Sequence, residues 1–146
     1  LDKTRNITLD DDILELLKML EIRTFISKKE DFMRNKKTHS LTFKKKLNKS
    51  KAIFRAYNEL QFKYGEELDS NVEIVEIKSN VLLEDFELGD NFTSDFVCIK
   101  SNGELMVREC ISKKVLMKPA NIKLLDASYN YWKNKGVEDW GFVLDA

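Results

Sequence analysis

Proline and glycine are scarce in this chain: a single proline, Pro119, and five glycines among 146 residues. With no Pro-rich tract, low-complexity segment or internal repeat, nothing in the sequence marks a linker between domains. Cysteine and histidine are scarce as well, with two of the first and one of the second. Cys98 and Cys110 lie in apolar, strand-like runs without metal-ligand spacing around them, and read as buried small hydrophobes in a reducing compartment. His39 stands among lysines and reads as solvated rather than catalytic. No apolar run approaches a membrane span and the N-terminal residues lack a signal-peptide pattern, so a cytoplasmic location with no membrane partner is expected. Net charge is lacking too: 25 basic residues balance 25 acidic ones, and the total says nothing about partners.

The distribution of charge is more informative. From Arg23 to Arg55 a dense basic run, including Lys44, Lys45, Lys46, Lys49 and Lys51, meets only Glu30 and Asp31. From Glu66 to Asp95 the sign reverses, and Lys78 is the only base. Such polarity suits an anionic partner on one part of the chain and a cation or acid-base work on another; two solvated faces that balance each other would look the same. With 42% hydrophobic and 10% aromatic residues the chain can fill one ordinary core.

Apolar spacing gives the order of elements. Thr8 and Asp11 resemble a capping box ahead of Ile13, Leu16, Leu17 and Leu20, which predicts a helix over roughly 9–21. Residues 27–41 read as a loop or basic arm. Phe43, Leu47, Phe54, Tyr57 and Leu60 recur at helical intervals of three, four or seven residues, and Gly65 follows, so residues 42–64 are expected to form a second helix with lysines outward. The period then shortens: strands are expected at Val72–Ile77, Val81–Phe86, Asp95–Lys100 and Glu104–Ile111. Pro119 opens a helix with the stripe Ile122, Leu125, Tyr129 and Trp132, Gly136 closes it, and Gly141–Leu144 is a last strand. Trp132 and Trp140 read as core residues in preference to an exposed surface for docking a partner. The reading is an α/β (α+β) fold, a mixed sheet flanked by helices, with residues 42–146 as the domain and 1–41 as a helical N-terminal extension and basic arm.

The hairpin at 94–110 carries the chemistry. A three-residue Ser101-Asn102-Gly103 loop pairs Val97 with Val107, Ile99 with Leu105 and Asp95 with Glu109, and keeps Val97, Ile99, Leu105 and Val107 on one face. A two-residue loop would turn the apolar residues of the two strands to opposite faces, so the longer loop is expected. Asp95 then faces Glu109 at the outer edge of the core. Two ionised carboxylates so placed repel unless a proton or cation lies between them, and Mg²⁺ is a natural occupant. An exposed pair at fraying strand ends, relieved by Arg108 or Lys100, is the plainer alternative.

Ser94-Asp95-Phe96, the Ser-Asn-Gly turn, Val107-Arg108-Glu109, Lys118-Pro119 and the tail YWKNKGVEDWGFVLD resemble the TnsA-type endonuclease subunit of heteromeric bacterial transposases, within the PD-(D/E)XK nuclease superfamily. The resemblance covers about a third of the chain well, from near Asn91 onward. It implies a restriction-endonuclease-like core and Mg²⁺- or Mn²⁺-dependent hydrolysis of DNA phosphodiesters at transposon ends, in company with partner transposase subunits. By motif position Asp95 is the central metal ligand and Glu109 the second; Glu59 is the choice for the carboxylate of the preceding helix. The family pattern asks for Glu-x-Lys, but Ile111 stands where the lysine belongs. Lys113 or Lys114 could replace it through a long flexible stem, or the fold could have kept DNA binding and lost its chemistry. Lys44, Lys45, Lys46, Lys49, Lys51 and Arg55 are the expected phosphate contacts under either reading. A different nuclease-fold activity, restriction or junction resolution, is the third reading.

Overall fold

In the computed structural model, which describes residues 5–8 and 43–145, the chain runs β1 (Arg5–Thr8), β2 (Phe43–Lys45), β3 (Phe54–Ala56), α1 (Glu59–Ser70), β4 (Ile74–Leu82), β5 (Thr93–Lys100), β6 (Leu105–Cys110), α2 (Lys113–Leu116), α3 (Pro119–Asn134) and β7 (Asp139–Leu144). The architecture is mixed α/β. The main sheet has the order β1-β7-β6-β5-β4, and β2 and β3 form a separate two-stranded ladder. Strands β4, β5 and β6 are successively antiparallel, β7 runs parallel to β6, and β1 pairs antiparallel with β7 at the edge. A parallel neighbour cannot be reached by a tight turn, and α2 and α3 supply the crossover. The helix expected at 9–21 and the arm with His39 lie outside the described residues.

The turn between β5 and β6 fixes the register. Gly103 takes the left-handed conformation at φ 88°, Asn102 Oδ1 accepts from the Glu104 amide at 2.9 Å, and the Lys100 amide donates to the Glu104 carbonyl at 2.8 Å. Val97 pairs with Val107 and Ile99 with Leu105, as the three-residue loop requires. Both sides of this hairpin are covered. Val97 and Val107 pack with Leu125, Trp132 and Trp140 on the α3 side, whereas Phe96, Cys98 and Met106 pack with Phe54, Tyr64 and Leu68 on the α1 side. Burial on two faces explains why β5 reads as a nearly continuous apolar run. Both cysteines are free and buried.

The helix expected over 42–64 forms only from Glu59 onward. Residues 43–56 contain the β2–β3 ladder, with Phe43, Lys44 and Lys45 opposite Ala56, Arg55 and Phe54. The decisive period is two: Phe54 and Ala56 are buried and Arg55 is exposed. Asn58 then caps α1, its Oδ1 accepting from the Gln61 amide at 2.8 Å, so the helix starts at Glu59. The strand expected at 72–77 and the first two residues of the one expected at 81–86 form a single strand, β4, with an irregular pairing between Ile74 and Glu76 and a left-handed Asn80 at φ 53°, whereas residues 83–86 form a turn rather than a strand.

Gly65 is inside α1 rather than beyond it. It lets the Phe54 ring lie directly on the helix: a Cβ at this position would come within 2.6 Å of Phe54 Cζ. Phe54 in turn packs on Phe96 of the sheet, with ring centroids 5.5 Å apart. In an open helix Gly→Ala is stabilising by helix propensity. Here Gly65→Ala is expected to lower stability by about 1–3 kcal/mol, the range for overpacking a filled core, read as a lower thermal midpoint. A raised midpoint would contradict the close approach.

Candidate functional site

The ladder between β5 and β6 runs from Ile99↔Leu105 to Phe96↔Arg108. One residue further, carboxylates take over from it. Glu109 Oε1 accepts from the Asp95 amide at 3.0 Å, and Asp95 Oδ2 accepts from the Cys110 amide at 2.7 Å. Each acid therefore binds main chain of the opposite strand, and the expected juxtaposition of Asp95 and Glu109 is present. Its setting is not the expected one. The pair does not lie at an outer edge: Asp95 is 3% exposed and Glu109 0%.

Glu109 is enclosed by side chains from three elements. Its Oε2 accepts from Ser94 Oγ at 2.6 Å and from Ser128 Oγ at 2.8 Å. Trp132 Nε1 donates to Ser94 Oγ at 2.9 Å and Trp140 Nε1 to Ser128 Oγ at 3.1 Å. An indole N–H can only donate, so each serine accepts there and turns its single hydrogen toward Glu109. The carboxyl group thus meets two hydroxyl donors and one amide donor. Trp132 and Trp140 are buried, in the core as expected.

These residues do not fit a divalent metal. Mg²⁺ needs carboxylate oxygens that open onto water and substrate, whereas both Glu109 oxygens already accept hydrogen bonds inside the core. Among the described residues no group of three or more His, Cys, Asp or Glu side chains could hold a metal ion.

The remaining residues singled out from the sequence are dispersed. Glu59 is exposed at the start of α1 and pairs with Lys63 at 3.1 Å. The helix packs on the sheet through Tyr64 and Leu68, which turns Glu59 outward. Lys113 and Lys114 begin α2 with exposed side chains. Their amides are pinned, Lys113 to Asp145 Oδ1 at 2.8 Å and Lys114 to Ser112 Oγ at 3.2 Å. Ile111 packs against the α3-side core. The six expected phosphate contacts do not share a helix: Lys44 and Lys45 are on β2, Arg55 on β3, and Lys46, Lys49 and Lys51 in the segment between.

Gln61 was not anticipated. It is 1% exposed, its Nε2 donates to Asn80 Oδ1 at 3.0 Å, and its Oε1 accepts from the Tyr57 amide at 2.9 Å. Asn80 stands between Ser79 and Val81, whose partners Phe96 and Ser94 flank Asp95. The side chain that α1 directs toward this part of the sheet is therefore a neutral amide. The Asn58-x-x-Gln61 spacing, a capping-box pattern, was the available signal.

Arg108 and Lys100 do not relieve the carboxylate pair. Both bind Asp139 at the start of β7, Lys100 Nζ at 2.8 Å and Arg108 Nη2 at 2.8 Å. Burial alone would raise the Asp139 carboxyl, but the hydrogen bonds and charges of Lys100 and Arg108 outweigh it and hold the group below its ordinary value. The hydrogen bond to Asp139 raises Lys100 in return. Burial pushes the nearby Cys98 thiol up to about 12, which leaves it protonated and unreactive at neutral pH.

Glu109→Gln places an amide N–H₂ against a hydroxyl or backbone donor in either orientation. It is expected to cost about 1–3 kcal/mol in denaturant unfolding; unchanged stability would contradict the donor pattern. Asp139 has a folded-state value below its ordinary 3.8, so its contribution is complete above that pH and is lost as pH falls through the lower folded value. Asp139→Asn is therefore expected to lower stability at neutral pH and to flatten the acid-side decline, measured as unfolding free energy against pH. Parallel declines in the two proteins would count against it.

No protein-family model matches the chain, and a search of the curated proteins finds no significant match.

Proposed function

We propose that the chain is a nuclease-fold subunit of a DNA-processing assembly that binds DNA and partner transposase subunits and does not itself cut. The PD-(D/E)XK reading is supported by the order of elements from α1 to β7: helix, three antiparallel strands, helices, and a strand parallel to the third. It is supported also by two acidic residues near the start of β5 and the end of β6, each of whose carboxyl groups binds a main-chain amide of the other's strand. The observation that carries the silent reading is the state of Glu109, whose two oxygens are bound within the core by Ser94, Ser128 and the Asp95 amide. Ile111 in place of lysine and Gln61 as the inward residue of α1 point the same way. Among the described residues, neither a lysine at the Glu-x-Lys position nor an accessible pair of carboxylates is on hand to activate a water molecule for attack on phosphorus, which supports the silent reading.

The cutting reading, an Mg²⁺- or Mn²⁺-dependent endonuclease acting at transposon ends, keeps one observation in its favour, the direct coupling of Asp95 and Glu109. It requires the serine and tryptophan network to open before any ion could enter.

Nicking of supercoiled DNA separates the two. The native chain and Asp95→Asn, which preserves shape at a buried position, are compared with Mg²⁺ or Mn²⁺ present and absent, with and without a partner transposase. The silent reading predicts no metal-dependent nicking by the native chain and salt-dependent DNA binding by both proteins. Metal-dependent nicking that Asp95→Asn abolishes would overturn it.

A further inference from the structure

The six basic residues between Lys44 and Arg55 fall into two groups by the partners they bind. Lys45 Nζ binds Glu66 Oε2 at 2.7 Å, Lys46 Nζ binds the Ser50 carbonyl, and Lys49 Nζ binds the Asn71 carbonyl. These three fasten the segment to itself and to α1. Lys44, Lys51 and Arg55 are exposed, and their charged side-chain groups have no hydrogen-bond or ion-pair partner among the described residues. Lys44 and Arg55 are moreover direct cross-strand partners in the β2–β3 ladder. Like charges in that position destabilise a ladder, and an anion shared between them removes the repulsion.

Beside Arg55 lies a groove of about 350 Å³ between residues 50–57 and β4. Lys51, Arg55, Tyr57 and Lys78 line it, and Glu76 is its single acidic residue. Two tethers hold its walls together: the Ile77 amide donates to the Lys49 carbonyl at 2.9 Å, and Asn80 Nδ2 donates to the Arg55 carbonyl at 2.7 Å. The backbone that presents Lys51 and Arg55 is thus fixed at both ends, while their charged groups remain available. A guanidinium on an anchored backbone suits phosphate oxygens, which it can bind through two parallel hydrogen bonds.

We infer that this groove and the adjoining outer face of the β2–β3 ladder hold a nucleic-acid backbone, with Lys44, Lys51 and Arg55 on its phosphates and Lys45, Lys46 and Lys49 in a structural role. The inference rests on the DNA-binding reading above and deepens it. Fewer phosphates are engaged than the charge of the segment suggests, and they are met by a ladder and a groove rather than by a helix.

The test is fluorescence anisotropy of a labelled short DNA duplex titrated with the full chain over a range of salt concentrations. Neutralising one phosphate-binding cation lowers the slope of log affinity against log salt by about 0.9. The K44Q/R55Q double variant is expected to lower the slope by about 2 relative to native, and K51Q by about 1. The K45Q/K49Q variant is expected to keep the native slope and to unfold at a lower temperature. A native slope in K44Q/R55Q, or an equal reduction in K45Q/K49Q, would overturn the placement while leaving DNA binding intact. Absence of DNA binding by the native chain would overturn the DNA reading itself. Binding of polyglutamate but not DNA, abolished in K44Q/R55Q, would assign the groove to an acidic protein partner and overturn the inference.

Discussion

A carboxylate in a protein interior has to be solvated by the protein, and Glu109 is the place where this chain meets that requirement. Removing an acid from water costs several kcal/mol even after relaxation. Three donors aimed at the group offset the cost, at about 1.5–3 kcal/mol for each hydrogen bond to a charged partner. The donors come from β5, through Ser94 and the Asp95 amide, and from α3, through Ser128. Trp132 and Trp140 set the direction of both hydroxyls from α3 and β7. One buried acid on β6 therefore specifies how three neighbouring elements meet. The same enclosure that makes it a structural centre occupies both of its oxygens with hydrogen bonds from the protein.

The two faces of the sheet divide the labour. On the α3 side the core closes over Glu109 with aromatic and aliphatic side chains. On the α1 side Phe54 bridges Gly65 and Phe96, so the small β2–β3 ladder is held to the sheet through an aromatic contact with the helix between them in sequence. That arrangement carries the exposed cations of β2, β3 and their connection to the surface beside β4. The charged triad of Lys100, Asp139 and Arg108 joins the β5–β6 hairpin to the start of β7. Polar and charged interactions thus fix the order and register of the strands, while the apolar clusters supply most of the cohesion.

The hairpin was legible because two independent signals agreed: Gly103 supplies a left-handed turn position, and only a three-residue loop keeps Val97, Ile99, Leu105 and Val107 on one face. The helix α3 was legible from Pro119, its apolar stripe and Gly136. Residues 43–65 were not. Phe43, Leu47, Phe54, Tyr57 and Leu60 mimic a helical period although the first three belong to a ladder and a turn, and Gly65 looks like a stop although it serves a close ring contact. The carboxylate pair was visible in the register, but its burial was not. Pairing places Asp95 near Glu109, whereas Ser94, Ser128 and the two tryptophans converge on it from distant parts of the chain. Gln61 was hidden by type, since a polar residue early in a helix ordinarily faces water.

Glu109 is closed off by its serine and tryptophan partners. The chain has two tryptophans, and both report on the site, so the most direct measurement is a nitrogen–proton NMR spectrum of the indole groups during titration with Mn²⁺. The account predicts that both indole signals stay sharp and resist exchange with deuterated water, as buried hydrogen-bonded groups do. Broadening of both signals at a small fraction of one equivalent would place the ion between Asp95 and Glu109 and contradict the claim.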